Sequence, residues 1–395
     1  MRTSDARRGV TLIELMVSVA IISVILTAVT SVVVSISRQR RDTSSMVDVR
    51  TNGRLALSMM QFDASNAGFR FGAPPFAVRV LQNVTGAEPE LVSAANCGGQ
   101  PGWTVLPGTD VIEFREGLVN TFAPGRVPLT TMGCASGLCA GMNFGAFPNP
   151  FQNPTDGANN IVFFSNATAS CAGRLLSNIT STPNVQLLKQ DLRVSAPGGT
   201  YVSAGPGACP VGDMAVTALG RATRYVVCQP PVNSPLLRPG LFRQTFDGTM
   251  AQTAYVQVQE AVEDLQVVTI LDNRSGDVTG TGCTGAGLTQ TCACGLTAGN
   301  CTGYVPDPTA SGVLNSAGAV AERTAFSQRA YRVAVTTISP RARGYSDQMT
   351  IVRPALFDHP AGAIDTSPTS SMSSGNQRVV VESMIIPQNI VMVTP

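Results

Sequence analysis

Glu14 is the first residue of this chain whose type and position point to chemistry. It heads a run, residues 15–36, that holds no charge and no proline. A charged side chain at the centre of a bilayer costs about 2.5–3.5 kcal/mol on insertion scales, so an acid in such a run marks function before packing. Its carboxylate must be neutralised, hydrated near an interface or paired. The bland alternative is an acid near one interface of a plain membrane anchor.

Ten cysteines form the second set: Cys97, Cys134, Cys139, Cys171, Cys209, Cys228, Cys283, Cys292, Cys294 and Cys301. Their even number, all beyond the apolar run, points to disulfides formed in an oxidising compartment. Cys134 with Cys139 is the expected local bridge, and Cys209 with Cys228 a candidate tie between neighbouring strands. The group Cys283, Cys292, Cys294 and Cys301 admits two readings. Thiolates suit zinc, but there is no C-x-x-C knuckle and no histidine nearby, and the surroundings are rich in glycine and threonine. Two disulfides stapling an exposed loop are therefore expected, with no metal.

Enzyme chemistry finds little support. His359 is the lone histidine and stands in a loop of proline and glycine, so a Ser-His-Asp site has a single possible base and no nucleophile elbow. No P-loop, dinucleotide fingerprint or HExxH occurs. Asp272-Asn273-Arg274-Ser275-Gly276-Asp277 places oxygen ligands partly as a calcium loop does, but Arg274 and Ser275 occupy ligand positions, so a turn is expected. Neither an enzyme nor a cofactor is anticipated. The net charge is only +2, and Lys189 is the lone lysine among 27 basic residues. The arginines thus reflect coding bias, and no nucleic-acid partner is expected.

The elements that must carry these residues begin with the apolar run, which suffices for one membrane-spanning helix of about 20 residues. Arg2, Arg7 and Arg8 precede it and Arg38, Arg40 and Arg41 follow, leaving orientation open under the positive-inside rule. A cleaved secretory signal does not fit, because the run is too long and no small-x-small site follows it. The helical spacing of Met46, Val49, Ala56 and Met60 extends one helix to Phe62 without a proline. Gly53 is expected to soften it, by roughly 1 kcal/mol relative to alanine. The remainder is β-rich, with strands expected at 110–115, 160–165, 185–189, 214–219, 224–228, 241–246, 255–271, 330–338 and 378–386. Within 255–271 a bend is expected at Val262. Irregular stretches are expected at 74–107, 122–159, 272–323 and 357–377.

Gly9 followed by Val10-Thr11-Leu12-Ile13-Glu14-Leu15 resembles the class III signal of type IV prepilins and type II secretion pseudopilins. The resemblance implies that prepilin peptidase cuts between Gly9 and Val10 and that the new N-terminus, Val10, is methylated. Val10 departs from the family, which most often has Phe there. Glu14 then becomes the fifth mature residue, and the resemblance implies that it pairs with the α-amino group of a neighbouring subunit and sets filament register. The implied layout is a leader at 1–9, an N-terminal helix at 10–62 with its transmembrane half at 10–37, and a β-rich globular domain at 63–395. The fold class is α+β and pilin-like, a long helix packed on a large, disulfide-containing domain.

Downstream, TNGRLALSMMQFDASNAGFRFG is similar to the segment after the helix in PilW-type minor pilins, and GTDVIEFREG, AVEDLQVVTILDN and AYRVAVTTISPRAR add weaker similarities. This resemblance implies a minor pilin of a type IV pilus that primes assembly near the filament tip, serving adhesion, twitching motility or DNA uptake. Its implied partners are other minor pilins, the major pilin and a PilY-type tip adhesin. The implied location is the inner membrane with the domain in the periplasm, then the pilus fibre on the cell surface. A GspJ-like pseudopilin of a type II secretion system and a membrane-anchored periplasmic binding protein or hydrolase are the alternatives.

Overall fold

The structure is a computed structural model of the 395-residue chain. It describes residues 11–69, 77–86, 97, 102–117, 127–129, 133–135, 138–143, 161–165, 170–175, 184–188, 212–231, 238–247, 255–273, 279–285, 290–295, 300–301, 328–338, 357 and 378–387.

One helix, α1 (Leu12–Asn66), dominates the N-terminal region and spans 55 residues. At 1.5 Å per residue it is about 80 Å long. It starts at Thr11 and runs on past Phe62 until Ala67 turns extended and Gly68 takes φ +79°. That left-handed backbone suits glycine at a helix end. In the apolar half, the hydroxyls of Ser18, Ser23, Thr27, Thr30 and Ser31 each donate to a carbonyl three or four residues back. These polar groups are thus satisfied inside the helix, as a hydrocarbon environment requires.

The strands fall into two sheets. The larger contains β1 (Val78–Leu81), β2 (Thr104–Val105), β3 (Val111–Gly117), β4 (Val127–Leu129), β5 (Gly133–Ala135), β6 (Leu138–Asn143), β7 (Ile161–Ser165), β8 (Ser170–Leu175), β9 (Asn184–Leu188), β10 (Gly212–Gln229), β11 (Gly240–Asp247) and β12 (Val256–Glu260). The smaller contains β13 (Val262–Asp272), β14 (Cys283–Thr284), β15 (Thr291–Cys294), β16 (Gln328–Ile338) and β17 (Arg378–Ile385), in the order β14-β15-β13-β16-β17. All their pairings are antiparallel.

The long strand β10 joins two parts of the larger sheet. Its first residues pair with β4 and β7, and its later ones with β3 and β11. Two separate strands were expected over this stretch. A register shift between Leu219 and Arg221 absorbs Gly220 and lets one strand continue, the usual effect of a bulge. Conversely, the long stretch 255–271 is broken, at Ala261 with φ +58° beside the expected bend.

The stretches expected to be irregular hold strands: β1 and β2 within 74–107, β4 to β6 within 122–159, and β14 and β15 within 272–323. These run to between two and six residues. Such short strands are held by pairing to neighbours and show too little alternation to register in sequence.

The C-terminal half of α1 roofs the junction of the sheets. Ala56, Leu57, Met60 and Ala64 form one buried core with Val80, Ile112, Phe114, Tyr225, Leu265, Val333, Val335 and Ile385. Beneath it Asp110 couples the sheets, its carboxylate accepting from Asn83 N–H (2.8 Å) and Val267 N–H (2.7 Å) while its own N–H donates to Leu265 O (2.8 Å).

Candidate functional site

At the head of α1, Thr11 and Glu14 form a reciprocal cap. Glu14 N–H donates to Thr11 Oγ1 (3.3 Å), and the Thr11 N–H and hydroxyl both donate to Glu14 Oε2 (3.1 Å each). This arrangement satisfies donors that a helix start otherwise leaves open. Thr-x-x-Glu before an apolar run is its sequence signature, and the expectation for Glu14 overlooked it. Gly9 and Val10 lie outside the described residues.

The stretch Leu12–Arg40 is long and apolar enough to cross a membrane, and none of it is buried. Leu12, Ile13, Ile22, Val24 and Leu26 are all more than half exposed. That surface requires lipid or other helices around it. Farther along, Val47, Leu55 and Phe62 continue an exposed apolar line on the side of α1 turned away from the core.

The other side of α1 is fixed to the domain by polar contacts. Asp63, buried at 3 % exposure, accepts from Tyr225 Oη (2.6 Å) and from Arg243 Nε (2.8 Å) and Nη2 (3.0 Å). Burial and the hydrogen bond to Asp63 push the Tyr225 phenol up from its ordinary value, so it stays a donor. Thr337 Oγ1 donates to Val49 O (3.1 Å). Gly53 sits where the helix touches β17, since a Cβ there would lie 2.6 Å from Val381 Cγ2. Its lack of a side chain permits close packing, a role different from the softening expected of it.

Among the described residues, the densest buried charge lies in the larger sheet. Glu113 faces Arg79 across β1 and Arg224 across β10 in register, and Arg115 follows two residues along β3. Its carboxylate accepts from Arg115 Nε (2.7 Å), Arg224 Nε (3.0 Å) and Arg224 Nη2 (2.7 Å), with Arg79 Nη1 at 3.9 Å. Burial alone raises this carboxyl, but the fields of Arg115, Arg224 and Arg79 outweigh it and hold it well below the ordinary range. Arg224 also lies over the Phe246 ring, 4.4 Å from its centroid. The cluster is structural in form, a pinned ionic knot inside a sheet. No periodicity in the sequence announces it.

The cysteines divide into expected and unexpected pairs. Cys283–Cys292 and Cys294–Cys301 are bonded, so the paired thiolates that zinc requires do not exist there. The first bridges β14 and β15 and the second ties the end of β15 to Cys301, and Cys292 and Cys294 are buried in contrast to the exposed loop expected. Cys228 bonds Cys97 across 131 residues, which overturns its expected pairing with Cys209. Cys97 lies in a stretch read as irregular and therefore gave no strand to match with β10. Cys134 stands opposite Cys139 in the β5–β6 backbone register. The side chains of Cys134, Cys139 and Cys171, and all of Cys209, lie outside the described residues, as do His359 and Asp277.

Among the described residues no group of His, Cys, Asp and Glu is arranged to hold a metal ion. At the expected turn, Asn273 is held by Gln290 through side-chain (2.8 Å) and backbone (2.9 Å) hydrogen bonds.

Residues 5–30 match the prokaryotic N-terminal methylation motif. Comparison with curated proteins and with solved structures finds no match. The motif supports a protein of the type IV pilin and pseudopilin kind, and the long apolar helix followed by a β-rich, disulfide-bonded domain fits a pilin-like fold. Such a signal implies processing by prepilin peptidase and assembly with other pilins.

Proposed function

We propose that this chain is a minor pilin of a type IV pilus, of the PilW type, acting as a structural and assembly protein and not as an enzyme. Prepilin peptidase cuts after Gly9, Val10 is methylated, and the subunit waits in the inner membrane with its domain in the periplasm. It then joins other minor pilins to prime the filament and stays at or near the tip. The observation that carries this reading is the methylation motif at 5–30 leading into an apolar half-helix with no buried part. Such a helix is stable in lipid first and among neighbouring helices afterwards.

Support for a minor subunit comes from the domain's size. Seventeen strands among the described residues and long connections suit a few copies at a tip better than close packing of many copies along a shaft. The test has two parts. Gly9→Ala leaves the precursor uncut on an immunoblot, and normal processing overturns the reading. Deletion removes piliation and twitching while exoprotein release continues, and the opposite pattern identifies a secretion pseudopilin.

A further inference from the structure

The helix α1 and the strand β17 run alongside one another in step. Thr337, paired with Val379 in the β16–β17 register, donates to Val49 O, and four residues on Gly53 packs against Val381. Four helical residues advance about 6 Å and two strand residues about 6.6 Å, so the alignment is maintained along the strand. Between them lies a groove of about 440 Å³, with Arg50, Arg54, Ser58 and Gln61 on the helical wall and residues 379–383 on the other.

Two properties of this groove are unspent by the fold. Among the described residues β17 pairs within the smaller sheet with β16 and stands last in the strand order. Alternate residues of an edge strand turn N–H and C=O outward, where another strand can pair with them. On the helix, Arg50 and Arg54 are exposed, one turn apart, and form no ion pair among the described residues. Like charges at this spacing disfavour a helix by a few tenths of a kcal/mol. The nearby acid, Glu382, is engaged by Arg332.

We propose that this groove takes an extended segment of a partner protein as an added strand on β17, with carboxylates at alternate positions meeting Arg50 and Arg54. The spacing supports the match, because side chains two apart on one face of a strand are separated by about 6.6 Å and the arginines by about 6 Å. Backbone pairing supplies affinity and the carboxylates supply selection, the division of labour in strand addition. Leu57 and the partly buried Val379 and Val381 give the added strand an apolar floor. Lipid phosphate is the less favoured occupant, since Arg50 lies ten residues, about 15 Å, beyond the apolar stretch that ends at Arg40. The groove's binding stands apart from the pilin role, which bears only on who supplies the segment.

The test uses the full chain in detergent micelles and an eight-residue peptide of alternating glutamate and valine. The peptide is expected to bind and to slow hydrogen exchange at alternate amides of 379–385. Replacing its glutamates by glutamine, or using the Arg50→Gln/Arg54→Gln double variant, weakens binding roughly three- to tenfold at low salt. Raised salt weakens the wild-type complex likewise, a readout that requires no variant. N-methylation of alternate peptide residues abolishes binding and exchange protection. Three outcomes overturn the proposal: glutamine peptide bound as tightly as glutamate peptide, binding indifferent to N-methylation, or no protection in β17 while anionic lipid vesicles bind through the two arginines.

Discussion

The guanidinium of Arg243 grips the carboxylate of Asp63 through two hydrogen bonds of 2.8 and 3.0 Å, joining the end of α1 to a strand 180 residues later. That bidentate contact raises the arginine's affinity for its proton, the hydrogen bond to Asp63 being the main cause. Through this pair, and through Tyr225, which shares the same carboxylate, α1 has a polar tie to the larger sheet beside their common apolar core.

Asp63→Asn is therefore expected to lower the domain's stability by roughly 1–3 kcal/mol. The figure sits below that for a fully buried pair because Arg243 is 29 % exposed and partly screened. A double-mutant cycle with Arg243→Gln, read by thermal unfolding in detergent, checks it. Additive losses would show that the two residues are not coupled.

This tie also shows what sequence can and cannot reveal. The apolar helix, the motif at its head and most long strands were legible, because uninterrupted hydrophobicity and β-branched runs are local signals. Asp63 gave no such signal, since its partners are distant along the chain. The same holds for Cys97, whose partner Cys228 lies 131 residues away on β10. Thr11 is the opposite case. Its cap is local, three residues before Glu14, so Thr-x-x-Glu carries it in the sequence alone.

Gly53→Ala pits helix propensity against packing. Alanine favours a helix by about 1 kcal/mol, but its Cβ would stand 2.6 Å from Val381 Cγ2 and 3.1 Å from Val381 Cβ. Valine's branched carbon cannot swing aside without moving β17, so a net loss of about 1–3 kcal/mol is expected. Val381→Ala in the same chain should recover part of it. A higher melting midpoint for Gly53→Ala alone would refute close packing at this point.

Glu113 makes stability depend on acid. Its carboxyl in the folded chain lies far below the ordinary 4.5, because three guanidiniums outweigh the effect of burial. A group with a depressed folded value contributes fully above its unfolded value and loses that contribution as pH falls. The expected decline therefore begins near pH 4.5 and continues into strong acid. Glu113→Gln removes the carboxylate charge that Arg79, Arg115 and Arg224 face together, and should cost about 3–5 kcal/mol at neutral pH. It should also flatten the acid limb of stability against pH in urea titrations. An unchanged limb would assign the acid sensitivity to other carboxylates.

Glu14 carries two duties that one substitution can separate. Its carboxylate closes the cap with Thr11, and in the proposed filament it meets the α-amino group of a neighbouring subunit. Glutamine at this position retains the cap, since it serves as well as glutamate in the reciprocal arrangement, while it removes the charge. Valine removes both. If charge pairing governs entry into the filament, Glu14→Gln and Glu14→Val are both processed at Gly9 and both scarce in sheared pili. Normal incorporation of Glu14→Gln beside exclusion of Glu14→Val would make helix capping the governing duty. Cleaved subunit recovered from membrane and pilus fractions, quantified by immunoblot, separates these outcomes without relying on any change in fold.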